Sequence, residues 1–298
     1  MTSPLLTVRD FLRYAVSRFN TAELVYGHGA TNAFDEAAFL VLEGLRLPID
    51  RLEPFLDAKL LPEECDRLSG LIEARVRERK PAAYLLGRAY MQGVPFEIDP
   101  RAIVPRSFIG ELLAGPLFAG GPQSLIEDPR APMRVLDLCT GSGCLAILAA
   151  QAFDNAEIDA LDVSADALEL ARRNVVASGL DKRIRLLQGD LFRPVRGERY
   201  SLVIANPPYV DADAMAALPP EYRHEPSLAL DGGRDGLDIV RRILSEASSH
   251  LEEDGALLCE IGAGRSRLES EFSGLAFLWL DTDESEGETF WLPARDLP

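Results

Sequence analysis

Apolar residues in the first part of the chain recur at helical spacing. Leu5, Leu6, Phe11, Leu12, Ala15, Val16 and Phe19 form one stripe, and Ala37, Phe39, Leu40, Leu42 and Leu45 form another. Pro62 suits the first turn of a further helix, with Glu63 and Glu64 at its positive end and Arg75, Arg77, Arg79 and Lys80 at its negative end, before Pro81 stops it. The pattern then changes. Tyr90 to Val104 carries Gly93-Val94-Pro95 and Asp99-Pro100-Arg101 between apolar residues, which predicts a hairpin or extended linker. A short helix at Ile109–Leu113 leads into a Gly/Pro-rich loop over 114–132.

From Met133 onward, strand-like and helix-like segments alternate. MRVLDLC, AEIDALDV, IRLLQGD, YSLVIANPP and ALLCEIG read as strands, with two closing strands around LAFLWL and GETFWLP. Helices are predicted through LAILAAQAF, from a Ser164 cap to a Gly179 stop, over Leu237 to Leu251, and near Arg265–Phe272. Such alternation implies an α/β fold with a mostly parallel sheet covered on both faces. The expected division is a helical unit (1–89), a hairpin linker (90–106) and an α/β unit (107–298). No repeat or low-complexity tract interrupts it.

Composition narrows the function. With 298 residues, 47% hydrophobic and 27% charged, the chain is globular and large enough for two domains. The formal charge is −17. Residues 1–90 hold 12 basic and 13 acidic side chains, so residues 91–298 carry −17 − (−1) = −16. That acidity opposes free nucleic-acid binding through phosphates and suits a basic partner. No segment approaches the ~18–20 apolar residues that span a bilayer, and the charged start does not read as a secretory signal. Cys65, Cys139, Cys144 and Cys259 lack zinc or disulfide spacing, and Cys139 and Cys144 read as small buried hydrophobes. His28, His224 and His250 share no metal spacing; His224 stands nearest the candidate site in sequence. A reduced, cytoplasmic protein is expected.

The candidate chemistry begins with Asp137-Leu138-Cys139-Thr140-Gly141-Ser142-Gly143, where the first strand turns into a helix. Gly141 and Gly143 allow a tight turn and close approach of a ligand. Asp162, nineteen residues after Gly143, ends the second strand and can accept both ribose hydroxyls of an adenosine-type cofactor. With Ala146 the string also fits G-x-G-x-x-A, so a nicotinamide or flavin site competes. Asp137, four residues before Gly141, would repel a pyrophosphate but suits an ammonium or sulfonium, and Asp190 is placed to meet an adenine amine. Those two carboxylates favour S-adenosylmethionine.

Asn206-Pro207-Pro208-Tyr209 ends the fourth strand. Two prolines remove two backbone donors and stiffen the turn, so the Asn206 side-chain oxygen and the Pro207 carbonyl form a pair of acceptors beside the flat face of Tyr209. A planar NH2 group fits this pair: an amide, an adenine amine or a cytosine amine.

In order, DLCTGSGC, Asp162, GDLF and NPPYV resemble the HemK family of protein N5-glutamine methyltransferases, together with a helical N-terminal part and the Val104-Pro105-Arg106-Ser107 linker. Where many release-factor-modifying members have a Pro-x-Thr-Glu-like string, this chain reads Arg106-Ser107-Phe108-Ile109-Gly110-Glu111. With LCTGSGC, NPPYVDA and EYRHEPSLAL, that is closest to the PrmB branch, which methylates a glutamine of large-subunit ribosomal protein three.

The resemblance implies a seven-stranded Rossmann-like sheet and S-adenosylmethionine as cofactor. Thr140, Gly141, Ser142 and Gly143 would cradle the cofactor, Asp162 its ribose, and Asp190 with Leu191 its adenine. Asn206 and Pro207 would hold the substrate amide, with Pro208, Tyr209 and Phe96 around it. In-line attack by the amide nitrogen on the sulfonium methyl follows. Glu260-Ile261-Gly262-Ala263-Gly264 receives no chemistry. The substrate would be ribosomal protein three, free or in an assembly intermediate.

Other readings stand beside this one: a release factor as substrate, an amino-methyltransferase acting on a flipped base, a non-enzymatic assembly factor, and, last, a dehydrogenase. The acidic stretch Asp281, Asp283, Glu284, Glu286, Glu288 reads as a solvated loop able to attract a basic partner, and the run Arg75–Lys80 as an exposed helix end.

Overall fold

The computed structural model describes residues 5–283 and 285–297. The chain opens with helices α1 (Val8–Thr21), α2 (Ala33–Gly44), α3 (Pro62–Glu78) and α4 (Ala82–Leu86). Thr7 and Asp10 form a capping box on α1, Asn32 accepts from two backbone amides at the start of α2, and Glu64 reaches back to the Leu61 amide at the start of α3. The apolar stripes of α1 and α2 meet α3 in one core around Phe11, Phe19, Leu40, Leu68 and Ile72. Helix α3 ends at Glu78 with Arg79 left-handed, ahead of Pro81, which instead leads into α4.

A two-stranded hairpin follows, β1 (Arg88–Met91) against β2 (Val94–Glu97). It is no free tether. Tyr84, Ala89, Ile98, Ala102 and Val104 share a buried cluster with Ala167 and Leu170, and the Tyr84 hydroxyl donates to the Ala102 carbonyl at 2.6 Å.

Beyond α5 (Phe108–Ala114), the elements are β3 (Met133–Leu138), α6 (Cys144–Ala152), β4 (Ala156–Asp162), α7 (Ala165–Ala177), β5 (Ile184–Gln188) and β6 (Tyr200–Ala205). Then come α8 (Ala212–Ala216), α9 (Asp238–His250), β7 (Leu251–Glu260), α10 (Arg265–Glu271), β8 (Leu278–Leu280) and β9 (Thr289–Pro293). The seven-stranded sheet has the order β5-β4-β3-β6-β7-β9-β8; β9 runs antiparallel to both its neighbours and the other pairings are parallel.

Alternation along each strand divides the core. Val135, Ile158, Leu202 and Leu258 pack towards α5 and α6, while Leu136, Leu138, Val203 and Leu257 pack towards α9 and α10. The order reverses direction between β3 and β6, so their carboxyl ends open a crevice at the switch point. No helix among the described residues is long and apolar enough to cross a membrane.

The basic run at the end of α3 is only in part the exposed helix end that its composition suggests: Arg77 is exposed, Arg75 and Arg79 are not. Arg75 is fully buried. Its Nε donates to Glu36 at 2.5 Å, its Nη2 to the Val25 carbonyl at 3.1 Å, and its Nη1 lies 3.7 Å from Glu221. Arg79 pairs with the same Glu221 at 2.7 Å, and the Val25 amide donates to it at 3.1 Å. Glu221 belongs to the segment after the Asn-Pro-Pro-Tyr turn, so these charges bind the helical unit to the edge of the crevice.

Arg75→Ala strands Glu36 in the interior and should cost about 3–5 kcal/mol, whereas Arg75→Met with Glu36→Leu should cost far less. Urea unfolding of both variants checks this; equal losses would mean that Arg75 acts through packing rather than charge.

Candidate active site

Strand alternation puts Asp137 on the same side of β3 as Val135, towards α6. Helix α6 begins after Gly143, which has no side chain with which to cap it. Asp137 supplies the missing cap: its Oδ2 accepts from the Ala146 amide at 3.0 Å and from the Thr140 hydroxyl at 2.5 Å. The carboxylate therefore pins the glycine loop from beneath. Burial drives its pKa up to about 7, with the Asp162 charge adding to the rise and its two hydrogen bonds opposing it.

The loop is held elsewhere too. Asn174 of α7 donates to the Ser142 carbonyl at 2.9 Å and to the Glu97 carbonyl at 3.0 Å, and accepts the Glu97 amide at 2.7 Å. Gly143 is left-handed at φ 82°, and a Cβ there would press on Ala171 at 3.2 Å. Gly141, at φ 56°, faces open space instead.

Asp162 accepts the Gly141 amide at 2.8 Å and the Ser164 amide at 2.9 Å. Burial raises its pKa, offset in part by these backbone donors. Asp190 is gripped by Arg242, whose Nη2 lies 2.7 and 2.8 Å from its two oxygens, and Arg193 stands 3.6 Å away. Cys139, Gly141, Asp162, Asp190, Leu191, Asn206 and Pro208 surround one open cleft of about 930 Å³, counting its mouth. Arg101, Ala102 and Ile103 of the linker close its other wall. Cys139 and Leu191, both on the cleft wall, hold left-handed backbone at φ 59° and 47°, an uncommon choice for such residues.

A second cavity of about 650 Å³ is lined by Arg106, Pro207, Tyr209, Leu218 and Tyr222. It shares Ile103, Asn206 and Ala229 with the first, so Asn206 stands where the two meet. The Asn206 Nδ2 donates to the Arg106 carbonyl at 3.5 Å, which leaves its Oδ1 for a ligand. Tyr209 is set by the stretch to which its sequence assigned no chemistry. Its hydroxyl donates to Glu260 Oε1 at 3.0 Å, and the ring packs so tightly that a Cβ on Gly262 would lie 2.8 Å from it. Glu260 Oε2 in turn accepts from the Ser107 hydroxyl at 2.7 Å and the Phe108 amide at 3.0 Å.

Residues 122–218 match the methyltransferase small domain family. The whole chain is similar to proteins named ribosomal protein uL3 glutamine methyltransferase. Identity is 57% with that of Bradyrhizobium diazoefficiens, over 98% of this chain and 92% of the relative. It is 54% with that of Burkholderia pseudomallei, over 99% and 97%, and 53% with that of Bordetella pertussis, over 98% and 97%. This chain belongs to the uL3 glutamine methyltransferase family.

Several expected site residues of the methyltransferase sit together on the two cavities: Gly141, Asp162, Asp190, Leu191 and Pro208 on the first, Pro207 and Tyr209 on the second, and Asn206 on both. Others do not reach the surface of either. Asp137, inside β3 rather than at its end, lies under the loop bonded to Thr140 and Ala146, and Thr140 and Ser142 are buried within it. Phe96 is a core side chain packed with Met91, Ile109 and Leu148, because β2 turns that face inward. His224 bonds to the Glu78 carbonyl at 3.0 Å rather than shaping the site.

His28 is buried against the Tyr222 ring, and His250 stacks on Phe192. The four cysteines are free, with burial pushing the Cys144 thiol up to about 12 and Cys139 well above its usual range. In the acidic stretch, Asp281 accepts the Gly287 amide; Glu284 lies outside the described residues.

Sequence reasoning missed Arg106, Tyr222, Asn174, Arg242 and Glu260 as parts of the site. The available signals were an asparagine on the apolar face of α7 and a glutamate closing the apolar run ALLCE.

An Asp137 pKa raised above its ordinary 3.8 means that the unfolded chain ionises first. The ligand-free methyltransferase should therefore lose stability relative to Asp137→Asn as pH rises from about 4 to about 7, with no further change above. Urea midpoints of both proteins from pH 5 to 8 test this; a constant difference would show Asp137 ionised throughout.

Proposed function

We infer that this protein methylates the side-chain amide nitrogen of a glutamine in ribosomal protein uL3, with S-adenosylmethionine as donor. The observation that carries the reading is Asn206 at the junction of two cavities, its Nδ2 already engaged and its Oδ1 free. Family membership along nearly the full chain supports the substrate.

The first cleft suits the donor. At Gly141 a side chain would project into the space that a ligand needs, Asp162 keeps lone pairs towards the cleft for ribose hydroxyls, and Asp190, steadied by Arg242, suits an adenine amine. Thr140, Ser142 and Gly143 support the cradle from behind, and Leu191 flanks the base. When bound, S-adenosylmethionine supplies an electrophilic methyl group on a sulfonium.

The protein's own residues do the rest. An amide nitrogen is a weak nucleophile because its lone pair is delocalised into the carbonyl. Asn206 Oδ1 and the Pro207 carbonyl accept its two N–H groups, fix its direction and favour the positive charge that grows on nitrogen. Tyr209, Pro208 and Tyr222 give the amide apolar walls that exclude water. A proton leaves the nitrogen afterwards, without a strong base. In this reading residues 1–89 select the partner, 90–106 link and wall the cleft, and 107–298 carry the transfer. The −16 charge of residues 91–298 complements a basic ribosomal protein and speeds encounter.

Purified enzyme with radiolabelled S-adenosylmethionine should label uL3 in ribosomal particles from a strain lacking the gene, at a glutamine mapped by mass spectrometry. Label in release factor in a parallel tube would keep the chemistry and change the substrate, and label in RNA alone would refute the amide reading. Asn206→Ala should lose at least about a hundredfold in turnover while keeping its melting temperature, because it removes one fixed acceptor.

A further inference from the structure

An asparagine serves as acceptor for an amide NH2 only when its own amide is turned the right way; reversed, it meets the substrate donor to donor. One contact sets that turn, the bond from Asn206 Nδ2 to the Arg106 carbonyl. The carbonyl is itself fixed from the far side. Glu225, whose side chain is fully buried, accepts both terminal nitrogens of Arg106 at 2.6 Å and the Val104 amide at 2.9 Å. These contacts grip residues 104 and 106 at once and leave the intervening backbone little freedom to rotate.

Paired forks of this kind add direction as well as energy. Burial pushes the Glu225 carboxyl up, yet the Arg106 fork and the nearby His28 outweigh it and hold the pKa down to about 2, so the carboxylate stays charged at any working pH. Arg106 also passes over the Tyr222 ring, 5.5 Å from its centre, and lines the second cavity. Glu225 lines neither cavity.

We propose that Glu225 is a positioning residue for methyl transfer: through Arg106 it holds the Asn206 amide with Oδ1 towards the substrate. The inference rests on Asn206 as the amide acceptor. The contact to the Val104 amide goes beyond what neutralising Arg106 requires.

The test uses the full-length enzyme, Glu225→Gln, and the double variant Arg106→Met with Glu225→Met, which removes the lone buried charge. Calorimetry with S-adenosylhomocysteine should give wild-type affinity and one site per chain for Glu225→Gln, while kcat on uL3 falls about a hundredfold, as expected for a displaced reacting group. The double variant should stay as slow. Recovery of turnover in the double variant, or an unchanged kcat in Glu225→Gln, would overturn the proposal.

A substrate-free reading separates this inference from the assignment of uL3. In protein labelled with 15N-asparagine, the Asn206 side-chain signals, assigned by their loss in Asn206→Ala, should move in Glu225→Gln. If the wild type fails to label uL3, the substrate reading fails, and unmoved Asn206 signals would sink the positioning role separately. Should Glu225→Gln fail to fold, seen as lost binding stoichiometry, Glu225→Asp keeps the charge, shortens the reach and carries the same readings.

Discussion

Two buried glutamates four residues apart organise the molecule. Glu221 gathers Arg75, Arg79 and the Val25 amide from the helical unit, and Glu225 gathers Arg106, the Val104 amide and the edge of His28. A buried carboxylate is costly unless its charge is met, so each becomes a fixed point to which distant cations must come. Tyr222 lies between them, against His28 on one side and Arg106 on the other. The wall of the second cavity is thus made by a segment that the helical unit holds in place. Remove that unit and the wall loses its support.

Around this anchor the site is built from backbone as much as from side chains. In the proposed reading, the acceptors at the end of β6 owe their availability to two prolines, and the cradle after β3 to a glycine whose missing Cβ leaves the cleft open. Left-handed Cys139 and Leu191 flank the same space. The cost of such conformations is met by burial of the surrounding strands, which leave the strand ends no alternative path.

Three carboxylates illustrate how position assigns work to one chemical group. Asp162 lines the cleft while holding the Gly141 and Ser164 amides. Asp137, one strand away and deeper under the glycine loop, caps a helix that begins with glycine. Glu260, at the end of β7, ties the Tyr209 ring to the start of α5. All three sit at or next to the carboxyl ends of parallel strands of one sheet, yet of the three only Asp162 lines the crevice.

The amino-acid pattern alone determined the local events. Helix caps, the hairpin, the strand–helix alternation, the glycine turn and the Asn-Pro-Pro-Tyr turn follow from periodicity and from residues whose backbone preferences act within a few positions. Even the order of acidic residues at strand ends was legible, because parallel strands bring their ends together. The tertiary structure decided which face each residue presents and which charges are buried. Arg75 looks like any basic residue at a helix end until Glu36 and Glu221 enclose it, and Phe96 looks like a site aromatic until β2 turns it inward. Pairings such as Arg106 with Glu225 join residues more than a hundred positions apart; their energy depends on desolvation and distance, and neither exists until the chain has folded.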